Sequence, residues 1–191
     1  MGTQIMTLGA PAGEAATPNY FLKGGIFPSL NAQTALTSFT TAATAGSFSL
    51  PAGLMNSVGK TFRVKGYGTY TTSGGQTPQI TVSLLIGAST VASSESAATT
   101  ASATTMPFSF EFTVTTATVG TTGTDEAHCT LTLTLGTTAA VAAAVYPDTN
   151  TSAQPGGGYD HTVANAVAIQ FAATSTLASL TLRSATLEIL N

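Results

Sequence analysis

The chain carries few side chains able to do chemistry: one cysteine, two histidines, eight carboxylates and five lysines and arginines in 191 residues. Cys129 follows His128, a pairing that would join a nucleophile to its base if the two side chains met. Polar and apolar residues alternate around them, and neighbours on a strand point to opposite faces, so they cannot meet there. Cys129 shares the apolar phase with Leu131 and reads as a core thiol. There is no Gly-x-Ser-x-Gly nucleophile elbow. Asp148, Asp160 and His161 flank the glycine run 156–158, and oxygen and imidazole ligands suit a cation. They match no known ligand spacing, and loop carboxylates ordinarily cap turns or face water, so the expectation is no metal and no cofactor.

Glycoside hydrolysis needs two carboxylates at a defined separation. Glu111, Asp125, Glu126 and Glu188 are on hand, with Glu111 and Glu126 on the polar phases of neighbouring strand-like runs. The chain has no tryptophan on which a sugar could stack, and these carboxylates read as solvated. For phosphate, Gly66-x-Gly68 lacks a third glycine at position 71, and the triple glycine has no Lys-Ser/Thr after it. The expectation is a protein that is not an enzyme. Lys60, Arg63 and Lys65 hold three of the five basic residues, and Arg63 and Lys65, two apart, face the same way. They either dock an acidic patch on a partner or form a solvated strand face. A net charge of −3 and a pI of about 5.1 argue against nucleic acid as a partner, since that needs a strong positive field.

The elements that would position these groups are strands. Ile80, Val82, Leu84 and Ile86 fall on one phase. So do Phe108, Phe110, Phe112 and Val114; then Ala127, Cys129, Leu131, Leu133 and Leu135; then Val163, Val167, Ile169 and Phe171. Threonine and serine fill much of the opposite phase, as in half-buried antiparallel strands. In the last run Leu180 and Leu182 lie on one phase and Leu187 and Ile189 on the other, which predicts a bulge near Ser184 or a strand buried on both faces. Gly66 and Gly68 interrupt the run from Thr61 to Thr71, marking a bulge or a close backbone approach. Turn residues separate the runs at 51–53, 73–75, 120–123 and 155–158, and a short helical turn is allowed from Ala52 to Val58. Eight to ten strands without a long helix make an all-β protein, an antiparallel β-sandwich of jelly-roll type.

That domain spans residues 34–191. Residues 1–33 show no sustained period, contain Pro11, Pro18 and Pro28, and read as an extended N-terminal arm. Tyr20, Phe21, Leu22, Ile26 and Phe27 cluster within it. Fully burying each such side chain is worth ~1.5–3 kcal/mol. They either cover the edge of their own sheet or insert into a neighbouring subunit. In the second case Tyr20, Phe21, Ile26 and Phe27 bind the partner, followed by Arg63 and Lys65.

Charged residues make up 7% of the chain, against roughly 25% in an ordinary soluble domain. A surface of threonine, serine, alanine and glycine is cheap to desolvate against a partner, which suits a subunit of a large assembly. The N-terminus lacks the basic and apolar regions of a signal peptide, and the apolar run Ala139 to Val145 is too short to cross a bilayer. The expectation is assembly in a cytoplasm, with no membrane partner.

The run from Leu50 to Val64 (Leu-Pro-Ala-Gly-Leu-Met-Asn-Ser-Val-Gly-Lys-Thr-Phe-Arg-Val) resembles a segment of small structural proteins of tailed bacteriophages. So do Pro107 to Phe112 with the turn Gly120 to Thr124, and the closing run Leu182 to Glu188. The resemblance covers about Leu36 to the C-terminus and leaves out the arm. It implies a β-sandwich virion component: a capsid decoration (cement) protein, or a tail or fibre piece that binds a host-surface glycan or protein. It further implies a homotrimer on the outer capsid surface, the major capsid protein as partner, and no catalytic residues.

Overall fold

A pleated strand shows every second side chain to each face, so alternating apolar and β-branched residues build sheets with one oily side. The structure, a computed structural model, describes residues 34–136, 142–147 and 159–190. Within them the alternation becomes ten strands: β1 (Thr34–Phe39), β2 (Ala43–Leu50), β3 (Thr61–Thr72), β4 (Ile80–Ile86), β5 (Ser89–Glu95), β6 (Met106–Thr118), β7 (Thr124–Leu135), β8 (Ala142–Pro147), β9 (Asn165–Ala173) and β10 (Leu177–Ile189). The described residues contain no helix. Residues 52–58 form turns instead of the helical turn the sequence allows, with Gly53 and Gly59 at φ of 70° and 81°, conformations a right-handed helix cannot absorb. Val163 also leaves its phase, lying exposed in the loop before β9.

The strands form two antiparallel sheets, one ordered β1-β10-β3-β6-β7-β8 and the other β2-β9-β4-β5. The pairing is nested. β4 pairs with β5, β3 with β6, β2 with β9 and β1 with β10, so the chain behaves as one long hairpin folded over into two layers. Nested pairs shared alternately between two sheets make a jelly roll. The hairpin β7–β8 is an addition that widens the first sheet beyond β6.

Between the sheets lies a single apolar layer. β6 contributes Phe108, Phe110 and Phe112, and Phe171 of β9 crosses from the other sheet to meet Phe108 and Phe110 edge-on, at centroid distances of 5.3 and 6.0 Å. Gly66 and Gly68 make room for this cluster. They sit opposite Phe110 and Phe108 on β3, and a Cβ at Gly66 would stand 2.3 Å from the Phe110 ring. A Cβ at Gly68 would stand 2.6 Å from the Phe108 ring and 2.1 Å from the Thr181 carbonyl oxygen. Of the two readings of these glycines, close approach is the one found. The change of phase in β10 is a bulge between Leu182 and Ser184, after which Ala185, Leu187 and Ile189 point inward. On the β5/β8 side, Ser94 Oγ donates to the Tyr146 carbonyl at 3.0 Å and ties the two sheets together.

The Tyr70 hydroxyl donates to the Thr134 carbonyl at 2.7 Å. Burial, with a smaller contribution from Tyr146, pushes its pKa up to about 12. A phenol ionises near 10 once unfolded, so its contribution to stability is complete below about pH 10 and disappears as pH rises toward 12. Urea midpoints measured from pH 9 to 12 should fall, and Tyr70→Phe should make that fall shallower. For the glycines, Gly68→Ala should cost about 1–3 kcal/mol in urea unfolding through overpacking. Gly74→Ala, with open space around it, should cost nothing measurable.

Candidate partner-binding site

Strand register places five chain segments at one end of the sandwich. Leu50 pairs with Asn165, Ile86 with Val167, Thr118 with Thr124, and Ile189 with Phe62. This gathers the 51–60 connection, the 87–88 turn, the 119–123 turn, residues 159–164 and the C-terminal Leu190. Of the six exposed large apolar side chains among the described residues, four lie here: Val58, Val119, Val163 and Leu190. Scattered exposed apolar residues need no explanation, but this concentration makes the loop end the surface cheapest to cover with protein.

Backbone bonds of one residue join these loops around a buried polar cluster. The His161 backbone N–H donates to the Gly120 carbonyl at 3.0 Å, and its carbonyl accepts from Gly53 N–H at 3.2 Å. One residue thereby joins three loops. Its imidazole Nε2 lies 3.4 Å from Asp125 Oδ1, with both side chains sealed from solvent. Tyr159 stacks edge-on against the imidazole at 4.3 Å and forms a β-bridge with Gly123. Thr116, directly across from Asp125 on β6, completes the group. Burial, and then the charge of Asp125, hold the Tyr159 phenol far above the usual range, so it stays neutral. Gly123 must be a glycine, because a Cβ there would stand 1.9 Å from His161 Nδ1.

An aspartate beside a histidine invites a catalytic reading, but these side chains have no opening through which a substrate could reach them. The sequence did carry a sign of the cluster. The inward phases Phe108 to Val114 and Ala127 to Leu133, extended by two residues, end in Thr116 and Asp125, two polar groups at core positions of the same end. His161, in a loop, had no periodicity to reveal it.

The other groups singled out in the sequence fall elsewhere. Cys129 is in the core and His128 on the outer face. Asp160 turns away from the cluster, its Oδ1 accepting from Thr162 N–H at 2.8 Å and Thr162 Oγ1 at 2.6 Å. These hydrogen bonds lower its pKa. Asp148 lies outside the described residues, and among the described residues no three His, Cys, Asp or Glu side chains gather at metal distance. Glu111 pairs with Thr130 while Glu126 pairs with Thr115. The four-residue offset is roughly 13 Å along the strand, beyond the ~9.5 Å upper limit for a glycosidase pair.

Arg63 and Lys65 do share the outer face of the six-stranded sheet. Arg63 Nε donates to Glu188 Oε2 at 3.0 Å, Arg63 NH1 lies 3.8 Å from Glu111, and Lys65 Nζ lies 3.5 Å from Glu111. Two cations and two carboxylates thus neutralise one another within the sheet. Exposed pairs of this kind are worth at most about 1 kcal/mol, so they leave the face polar and nearly uncharged. Beside them runs a shallow groove of about 370 Å³, walled by Lys65, Tyr67, Ser109, Glu111, Thr130 and Thr132. Tyr67 is 57% exposed there. Tyr20, Phe21, Ile26 and Phe27 lie outside the described residues.

No family model and no curated protein matches the chain.

Gly123→Ala tests the cluster. It should destabilise the chain by about 1–3 kcal/mol and speed amide exchange at residues 51–55, 119–123 and 159–164, leaving the centre of β3 and β6 protected. Uniform loosening of both sheets would show that the cluster is not local to the loop end.

Proposed function

We propose that this chain is a non-enzymatic virion structural protein of a bacteriophage. In this reading it is a capsid decoration (cement) protein that assembles as a homotrimer on the outer shell and clamps neighbouring copies of the major capsid protein. The observation that carries the reading is the distribution of surface chemistry. The sandwich is covered largely by threonine, serine and small residues, four of its outer-face charges (Arg63, Lys65, Glu111 and Glu188) neutralise one another, and four of the six exposed large apolar side chains among the described residues lie at one end. Such a surface gains little from standing alone in water and loses little on contact with protein. The resemblance of Leu50–Val64 and Pro107–Phe112 to phage structural proteins supports the same assignment.

The mechanism is mechanical. The sandwich supplies a rigid body, and the arm carries Tyr20, Phe21, Ile26 and Phe27 across a joint between capsid subunits. Each clamp adds buried surface that must be broken before the shell opens, and several clamps on one oligomer turn weak contacts into long residence. Assembly takes place in the host cytoplasm, with no nucleic-acid or membrane partner.

Replacing Tyr20, Phe21, Ile26 and Phe27 by serine in the full chain should weaken binding to purified capsid shells by roughly a thousandfold or more. Thermal unfolding should not change. Light scattering on the full chain should return a trimer. Shell binding that survives the four substitutions would remove the arm from the mechanism, and a chain that never binds shells would sink the reading. A tail or fibre module that binds a host-surface glycan or protein is the second reading, favoured by the exposed loop end near Asp160. A glycan-array signal lost in Asp160→Ala would move the assignment there.

A further inference from the structure

Among the described residues, six buried side-chain polar atoms lack a hydrogen-bond partner, and all six lie in the loop-end cluster. They are both Asp125 carboxylate oxygens, both His161 nitrogens, the Tyr159 hydroxyl and the Thr116 hydroxyl. Burying one such atom unpaired is costly, and burying an unpaired carboxylate far more so. No lysine or arginine among the described residues pairs with Asp125. Orphans spread through a protein are defects, but orphans gathered from three chain segments at one point share a cause.

The spacing of the two central groups indicates that cause. A direct bond between an imidazolium and a carboxylate brings nitrogen and oxygen to about 2.7–2.9 Å. His161 Nε2 and Asp125 Oδ1 stand 3.4 Å apart, with no hydrogen bond between them. Two ligands of a single tetrahedral zinc ion, each bonded at roughly 2.0–2.1 Å, lie about 3.4 Å from each other. Gly123 aims the imidazole. A Cβ there would meet Nδ1 at 1.9 Å, so the glycine admits that edge of the ring while Nε2 faces Asp125. Thr116 sits directly opposite Asp125 in the strand pairing, and Tyr159 lies close enough to feel the Asp125 charge.

The donor set selects the cation. Calcium takes about six to eight oxygens, and these side chains offer fewer. Magnesium keeps several waters, which a place sealed from solvent does not favour. Zinc takes imidazole nitrogen and carboxylate oxygen together, needs four ligands, and in structural sites is closed to solvent. Asp125 and His161 belong to the usual zinc ligands, and the phenol and hydroxyl oxygens of Tyr159 and Thr116 complete the set.

We propose that Asp125, His161, Tyr159 and Thr116 form a structural zinc site that fastens the loop end. The ion offsets the buried carboxylate and ties β6 and β7 to residues 159–164. Through the His161 backbone its hold extends to Gly120 and Gly53. The site does not depend on the shell-binding role and is tested on the purified chain alone.

The full-length chain purified from zinc-supplemented medium should contain zinc equimolar with protein. At a hundredfold excess over its Kd, zinc should raise the Tm of the chelator-treated chain by about 5–10 °C. Chelation should speed amide exchange at residues 51–55, 119–123 and 159–164. His161→Gln and Asp125→Asn should each lose roughly tenfold or more in zinc affinity, while His128→Gln, on the outer face, should bind as before. Should a variant fail to fold, cobalt in the unsubstituted chain decides the matter. Four-coordinate cobalt absorbs strongly in the visible and six-coordinate cobalt weakly. A chain that takes up no zinc and whose Tm ignores the metal would overturn the site. So would a weak cobalt spectrum, or zinc affinity kept in both His161→Gln and Asp125→Asn.

Discussion

Each of the ten described strands gives one face to the same apolar layer, and that requirement organises the rest. A layer about 10 Å thick between two sheets must be filled from both sides without gaps. β6 sends in three phenyl rings, β9 answers with Phe171, and β3 gives way with two glycines. The bulge in β10 serves the same end. It turns the strand over once, so that Leu180 and Leu182 on one side of it and Leu187 and Ile189 on the other all reach the interior. With burial worth ~1.5–3 kcal/mol for each large side chain and exposed ion pairs worth at most about 1 kcal/mol, the layer, not the charge network, holds the molecule together.

With the interior assigned to hydrocarbon, polar groups acquire two distinct duties. On the outer face, Arg63, Lys65, Glu111 and Glu188 cancel one another, and hydroxyls cover much of the rest. At the loop end a few polar side chains are drawn inside. There the backbone of His161 bonds to Gly120 and Gly53, and Tyr159 bridges to Gly123. These contacts join loops that have no alternating pattern with which to bury themselves, around the buried Asp125, His161 and Tyr159 side chains. A jelly roll leaves its connections at its two ends, so loops crowd together there, and a buried joint gives this end a defined shape.

Much of this was legible beforehand, and the limits of legibility have physical causes. Period-two alternation exposed β4, β6, β7 and the core of β9, and it placed Cys129 inside and His128 outside. It also flagged the change of phase in β10, while the glycines at 66 and 68 signalled a bulge or a close approach, of which the close approach is found. It did not separate β1, β2, β5 and β8 as strands, because alanine, serine and threonine differ too little in hydropathy to mark a face. The helical turn expected at 52–58 gave way to turns because Gly53 within it and Gly59 just after it adopt left-handed backbone. His161 went unrecognised as the joint because a loop residue has no neighbours in phase to betray its burial.

The sequence by itself determined the class of structure, since alternation of side chains is a local property that each strand carries alone. It also determined the scarcity of charge and the likeness of charge on Arg63 and Lys65. Which strands become neighbours was decided by the tertiary structure. Nested pairing joins residues more than a hundred positions apart, as β1 with β10 and Arg63 with Glu188, and no local pattern encodes such a partner. The meaning of Arg63 and Lys65 changed for the same reason: two like charges in sequence became half of a neutral group once β10 and β6 came to lie beside β3. The loop end exists only as an assembly of distant segments, which is why its chemistry appears in the fold and not along the chain.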